Sequence, residues 1–159
     1  MIVYSPLEGD RVDIVDVDDP AFSKKMLGDG VAVRPTGRVV SAPFDGEVVS
    51  LFSTKHAVGL VSDEGVEVLI HIGLDTVAMN GDGFEAHIVQ GQRVIAGQPL
   101  VSFDPEKIVA AGYDLVTPVV ITNTADVTEI VQVETAHLTT GDRLLEVTVP
   151  VDMSTRQGA

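Results

Sequence analysis

Apolar and polar residues alternate along most of this chain, and alternation of that period predicts strands. Met1 to Asp18 opens with a short apolar run and turns at Pro6-Leu7-Glu8-Gly9. It continues as V-D-I-V-D-V-D, the pattern of an edge or half-buried strand. Asp19-Pro20 breaks the pattern. Phe22, Met26 and Leu27 then fall at spacings that fit about one helical turn, which Gly28 and Gly30 end. From Val31 the pattern is β again, with Pro43-Phe44-Asp45-Gly46 as a turn between two valine-rich arms. Thr54 to Asp75 reads as two strands joined at Ser62-Asp63-Glu64-Gly65, and further turns are signalled by Asn80-Gly81-Asp82-Gly83, Gly91, Gly97 and Gln98-Pro99. The best helix candidate has Asp104 as N-cap, Pro105 at its first position and Gly112 as its stop. Strands follow in T-P-V-V-I-T-N-T, V-T-E-I-V-Q-V and G-D-R-L-L-E-V-T-V-P. The sum is about ten short strands and at most two short helices, an all-β sandwich or barrel. S-A-P-F-D-G-E-V-V-S-L-F and V-I-A-G-Q-P-L-V-S-F-D both end in V-S-[LF], a weak likeness that a duplicated barrel-like motif or plain β composition would produce. Residues 151–159 are polar and aperiodic, so the domain is expected over 1–150 with a tail or the start of a linker after it.

Composition sharpens this picture. A chain of 159 residues can bury most of a single core, and with 45% hydrophobic but only 4% aromatic residues that core is aliphatic. A net charge of −14 argues against nucleic acid or an anionic membrane surface as partner and suits a basic protein. With no cysteine there is neither a disulfide frame nor a thiolate metal site. The start M-I-V-Y-S-P-L-E-G has no basic region followed by a long apolar run, and no stretch approaches the ~18 apolar residues of a membrane span. A cytoplasmic protein is the expectation.

Four histidines carry the candidate chemistry: His56, His71, His87 and His137. His87 and His137 lie in polar stretches and read as surface residues. His56 and His71 lie on the two strands of the Thr54–Asp75 hairpin. If Ser62 stands opposite Gly65, His56 falls directly across from His71, with side chains about 4.5–5.5 Å apart at Cβ. Val58, Leu60, Glu67 and Leu69 then share their face. A bulge at Gly65 would instead shift the register by one residue and send the two rings to opposite faces unless something compensates. Two facing imidazoles suit phosphoryl transfer through a phosphohistidine, a zinc hydrolase, or general acid/base work on a small substrate. H-I-G-L-D resembles half of the H-x-x-x-D plus H-x-H pattern of lysostaphin-like zinc peptidases, but no H-x-H occurs.

Several segments, in order, resemble the glucose-specific enzyme IIA family of the bacterial phosphoenolpyruvate-dependent sugar phosphotransferase system. They are G-D-G-V-A-V-R-P-T-G, S-A-P-F-D-G-E-V, T-K-H-A-V-G-L, G-V-E-V-L-I-H-I-G-L-D-T-V and G-D-G-F…G-Q-R-V…G-Q-P-L, and the likeness runs from about Ser5 to Val149. The resemblance implies a compact antiparallel β-sandwich of the duplicated hybrid motif type. It implies a phosphoryl relay from the phosphocarrier protein HPr to a sugar-specific enzyme IIB domain, with no cofactor. In it His71 matches the phosphorylated histidine, attacking through Nε2; His56 matches the histidine that stabilises the phosphoryl group; Thr54 matches the hydroxyl that orients the rings. Phe22, Met26, Leu27, Phe52, Leu69 and Val77 match an apolar docking disc, with Asp19 and Asp75 near its rim. Leu69 and Ile72 depart from the pattern, standing where many relatives carry phenylalanine.

A second reading is a regulatory module that holds other proteins on the same face, with a zinc ion bridging His56, His71 and a partner's carboxylate. A zinc peptidase of related fold ranks third. A monomer is expected, since the apolar face must stay free to exchange partners. Which sugar is imported is not written in this chain.

Overall fold

The computed structural model describes residues 1–150, so the expected tail at 151–159 lies outside the described residues. The first strands are β1 (Ile2–Tyr4) and β2 (Gly9–Asp13). The alternation after Asp13 does not continue as a strand. Ile14–Asp16 form a 3₁₀ turn, which brings Ile14 and Val17, three apart, into one buried cluster. Helix α1 (Pro20–Ser23) follows, capped by Asp19, whose carboxylate accepts from the Ala21 N–H at 3.0 Å. It ends at Lys24, so Met26 and Leu27 lie beyond the helix rather than on it.

Next come β3 (Asp29–Pro35), β4 (Val39–Ser41), β5 (Gly46–Leu51), β6 (Ala57–Ser62) and β7 (Glu67–His71). A 3₁₀ turn at Thr76–Met79 leads to β8 (Phe84–Ala86), β9 (Arg93–Val94) and β10 (Pro99–Phe103). Helix α2 (Pro105–Ala110) has the expected cap, Asp104 accepting from the Lys107 N–H at 3.2 Å, and stops before Gly112. The last strands are β11 (Thr117–Ile121), β12 (Glu129–Gln132), β13 (His137–Leu138) and β14 (Arg143–Thr148). The described residues thus hold 14 strands and two short α-helices, an all-β protein with more strands than the pattern suggested because several run only two or three residues.

All pairings are antiparallel. One sheet has the order β13-β2-β3-β11-β7-β6-β5-β9, and two three-stranded sheets have the orders β1-β14-β12 and β4-β10-β8. The turn Pro43–Gly46 therefore does not close a hairpin; it carries the chain from one sheet to another. β4 pairs with β10 while β5 pairs with β9, so the two stretches that share V-S-[LF] interlock reciprocally at the sheet corners.

The central strands of the large sheet are covered on both faces. In β3, β11 and β7, Val31, Val33, Val119, Ile121, Val68 and Ile70 face the main core. Ala32, Val120 and Leu69 face a second, smaller cluster built with Ile14, Val17, Phe22, Leu74 and Val116. The segment from Ile14 to Phe22 thus lids the outer face of the sheet beside the end of β7, where His71 stands.

Candidate active site

His71 is the last residue of β7 and alternates with Leu69, so its ring lies on the side of the smaller core. The hairpin that carries it does not have the register that puts His56 opposite His71. Ser62 N–H donates to Val66 O at 2.8 Å, Gly65 N–H to Ser62 O at 2.9 Å, and Gly65 has φ 95°, the geometry of a bulged turn. Ala57 is thereby paired with His71, and Val58 and Leu60 face the main core with Ile70 and Val68 instead of flooring the histidines.

The rings still meet because His56 stands outside the ladder. Lys55 N–H donates to Phe52 O at 2.8 Å with Lys55 at φ 62°, and Phe52 N–H reaches past His56 to Ala57 O at 3.2 Å. His56 is the extra residue of this connection, so strand alternation does not govern its side chain. Its carbonyl accepts from Ile72 N–H at 2.7 Å, which ties it to the end of β7.

The two imidazoles lie 4.9 Å apart between centroids, edge to face. Phe52 packs edge-on against His56 at 5.4 Å, and Phe22 packs tilted against His71 at 5.3 Å. Four rings are thus in successive contact. His71 Nδ1 lies 2.7 Å from Gly73 O. A carbonyl only accepts, so Nδ1 carries the proton of the neutral ring and Nε2 presents a lone pair. Gly73 can offer that carbonyl because it has φ 74°, and a Cβ there would come within 2.7 Å of Thr76 and 2.8 Å of Asp114 O. His56 Nδ1 lies 2.6 Å from Thr54 Oγ1.

Burial, and secondarily His71 beside it, pushes the His56 pKa down to about 4. Burial also lowers the pKa of His71, against the hydrogen bond its Nδ1–H donates to Gly73 O and the charges of Asp19 and Asp75, which pull it up. Both rings are neutral at pH 7, the state in which an imidazole is a nucleophile.

The residues expected to dock partners divide. Met26, Leu27, Phe52 and Val77 are exposed, at 71, 43, 41 and 53%, and Leu69 is half-buried. Phe22 is only 2% exposed, so it belongs to the smaller core as a prop beneath His71 and not to the free surface. Ile72 is fully buried as well. Nothing local in the sequence marks Phe22 or Phe52 as ring partners; the glycine two places after His71 is the one signal that could have revealed the Gly73 acceptor. His87 and His137 are exposed and remote from the pair in their bonding, His87 to Ser102 Oγ at 2.6 Å and His137 to Asp10 at 2.9 Å. Among the described residues no group of three His, Cys, Asp or Glu side chains is arranged to hold a metal ion, which a zinc hydrolase would require.

The model of the family described as phosphoenolpyruvate-dependent sugar phosphotransferase system, EIIA 1, matches residues 1–127. The chain belongs to that family. It is 52% identical over 122 residues to a glucose-specific EIIA component of the phosphotransferase system from Bacillus cereus, covering 77% of this chain and 74% of the relative. It is 50% identical over 123 residues to a beta-glucoside-specific EIIBCA component from Bacillus subtilis, again 77% of this chain but 20% of that longer protein. Among solved structures, glucose permease IIA from Mycoplasma capricolum superposes with a TM-score of 0.86 at 36% identity, covering 91% of this chain and 94% of that one. This EIIA protein is accordingly a phosphoryl-relay component of the sugar phosphotransferase system with the antiparallel β-sandwich of its family. The regulatory-module and zinc-peptidase readings gain no support from any of these relatives. No helix among the described residues is long and apolar enough to cross a membrane.

Proposed function

We propose that His71 carries the phosphoryl group, received from phospho-HPr and passed to a sugar-specific EIIB domain, with His56 and Thr54 as its supporting pair. The carrying observation is the bond from His71 Nδ1 to Gly73 O, which leaves Nε2 unprotonated. The Nε2 lone pair forms the new N–P bond as the donor's N–P bond breaks, and the bonding electrons return to the donor's ring nitrogen. No proton need move. The Thr54 hydroxyl donates a hydrogen bond to His56 Nδ1, which keeps the single proton of that neutral ring on Nε2, free to donate to a phosphoryl oxygen.

Asp19 and Asp75 place negative charge near the bound group, and this repulsion favours its departure to the acceptor. The setting suits a protein partner: cavities of 340, 360, 380 and 450 Å³ open elsewhere, and neither histidine lines any of them.

The test is intact mass after incubation with phosphoenolpyruvate, the general phosphotransferase protein and HPr. Wild type and His56→Gln should gain one acid-labile phosphoryl group and His71→Gln none. His56→Gln should transfer onward about 100-fold more slowly, and Thr54→Val should fall between it and wild type, the scale of losing one aligned donor. An adduct on His71→Gln would overturn the assignment.

A further inference from the structure

The carbonyl that claims His71 Nδ1 belongs to the peptide between Gly73 and Leu74, and a glycine is the residue least able to hold such a peptide still. A flip of that peptide, by rotation about ψ of Gly73 and φ of Leu74, would exchange the groups it presents. Leu74 N–H would then face His71 Nδ1 in place of Gly73 O. An N–H only donates, so Nδ1 would have to accept, the proton of the neutral ring would sit on Nε2, and the lone pair that attacks phosphorus would be lost. The nucleophile therefore depends on which way one peptide faces.

The other end of that peptide is gripped. Leu74 N–H donates to Asp114 O at 3.0 Å. In a trans peptide the C=O and N–H point opposite ways, so Gly73 O turns toward His71 while Leu74 N–H turns toward Asp114. The preceding peptide is fixed too, because the Ile72 carbonyl accepts from Thr76 Oγ1 at 2.6 Å. Asp114 is itself held in place. Its Oδ1 accepts from the Val116 N–H at 2.9 Å, an Asx turn, and from Arg34 Nη1 at 3.1 Å. Strand β11 starts three residues later and pairs with both β3, which carries Arg34, and β7, which carries His71. A Cβ at position 73 would come within 2.8 Å of Asp114 O, so the glycine that is free to flip is also what lets this carbonyl approach.

We infer that Asp114 is a positioning residue of the relay, locking the Gly73–Leu74 peptide in the orientation that keeps the His71 proton on Nδ1. It touches no reacting atom. The inference rests on His71 Nε2 being the nucleophile and adds how the fold keeps that nitrogen free between turnovers. On the phosphorylated ring Nε2 is occupied and the tautomer has no choice. On the free ring the proton goes to whichever nitrogen faces an acceptor, and Asp114 decides that an acceptor stands at Nδ1.

The test reads the ring nitrogens of His71 by NMR in unphosphorylated wild type, Asp114→Ala and Asp114→Asn, together with the kinetics of phosphoryl uptake from phospho-HPr. Wild type should show a protonated Nδ1 and a scalar coupling across the hydrogen bond from Leu74 N–H to the Asp114 carbonyl. In Asp114→Ala the Asx turn is lost and the carbonyl is no longer aimed. A share of His71 should then carry its proton on Nε2, and kcat should fall about five-fold at unchanged KM for phospho-HPr, the scale of one neutral hydrogen bond. Asp114→Asn keeps an oxygen for the Val116 N–H and should recover most of the rate. A lowered thermal midpoint in Asp114→Ala with wild-type ring signals and wild-type kcat would overturn the inference, since it would make Asp114 a structural turn and nothing more. So would a raised KM at unchanged kcat, which would assign Asp114 to docking. A missing coupling or a proton on Nε2 in wild type would overturn it without any variant having to fold. Whether His71 is the carrier at all is read separately, by the mass experiment on His71→Gln.

Discussion

The four histidines of this protein form two contrasting sets. His56 and His71 are packed between phenylalanine rings and held neutral by desolvation, whereas His87 and His137 lie in the open beside a hydroxyl and carboxylates. At His137 the neighbouring Asp10 raises the pKa, the reverse of what burial does to the pair. The residue type is the same; what poises an imidazole for nucleophilic attack is removal from water together with an acceptor that claims one nitrogen. A carboxylate beside an exposed ring does the opposite, holding the proton that would have to leave.

The largest expected effect comes from opening the packed set. Phe22→Ala removes the ring beneath His71 and empties part of the smaller core, which should cost about 3–5 kcal/mol of stability. If enough folded protein remains, an NMR titration of the ring protons should find the His71 midpoint moved up toward its ordinary value of 6.5, because water now reaches it. A folded Phe22→Ala protein with an unmoved His71 midpoint would mean that desolvation is not what separates the two sets.

A smaller effect should appear in wild type on acidification. Below pH 6.5 the unfolded chain takes up a proton at His56, while the folded chain resists until about pH 4. The unfolded state then binds more protons, so stability falls as pH drops through that window. His56→Gln should remove its share of the fall, read as urea midpoints that converge with wild type at pH 4 to 5 more than at pH 7.

The contrast between the sets was only partly visible in the chain. Features with a local cause were legible: Asp104 and Pro105 opening a helix, Gly112 after its end, the turn at Ser62–Gly65, and His71 at the end of an alternating strand. The hairpin register was not, and the reason is physical. Register is read from alternation when one face is polar, but the outer, half-buried face of β6 and β7 also carries apolar Val61 and Leu69, so Val58 and Leu60 fit either choice in the sequence. Phe22 was legible as apolar but not as a prop, because its contact with His71 spans two distant segments joined only by the fold. The histidine pair was anticipated through a register the protein does not use, and the extra residue at His56 restores the meeting of the rings.

The smallest effect should come from the exposed set. His137 bonds Asp10 across the short β13–β2 pairing, with Glu8 and Asp142 also nearby, and its pKa is raised. The sign follows from linkage: the stabilisation is fully present below the unfolded value of 6.5 and is lost as pH rises through the folded pKa. His137→Gln should therefore lower the urea midpoint slightly at pH 5 to 6, with the gap closing at pH 8, and salt should shrink it because the pair is exposed. Phosphoryl transfer should match wild type throughout. A transfer defect in His137→Gln comparable to that of His56→Gln would erase the division between the two sets, since it would show that an open imidazole beside a carboxylate also serves the relay.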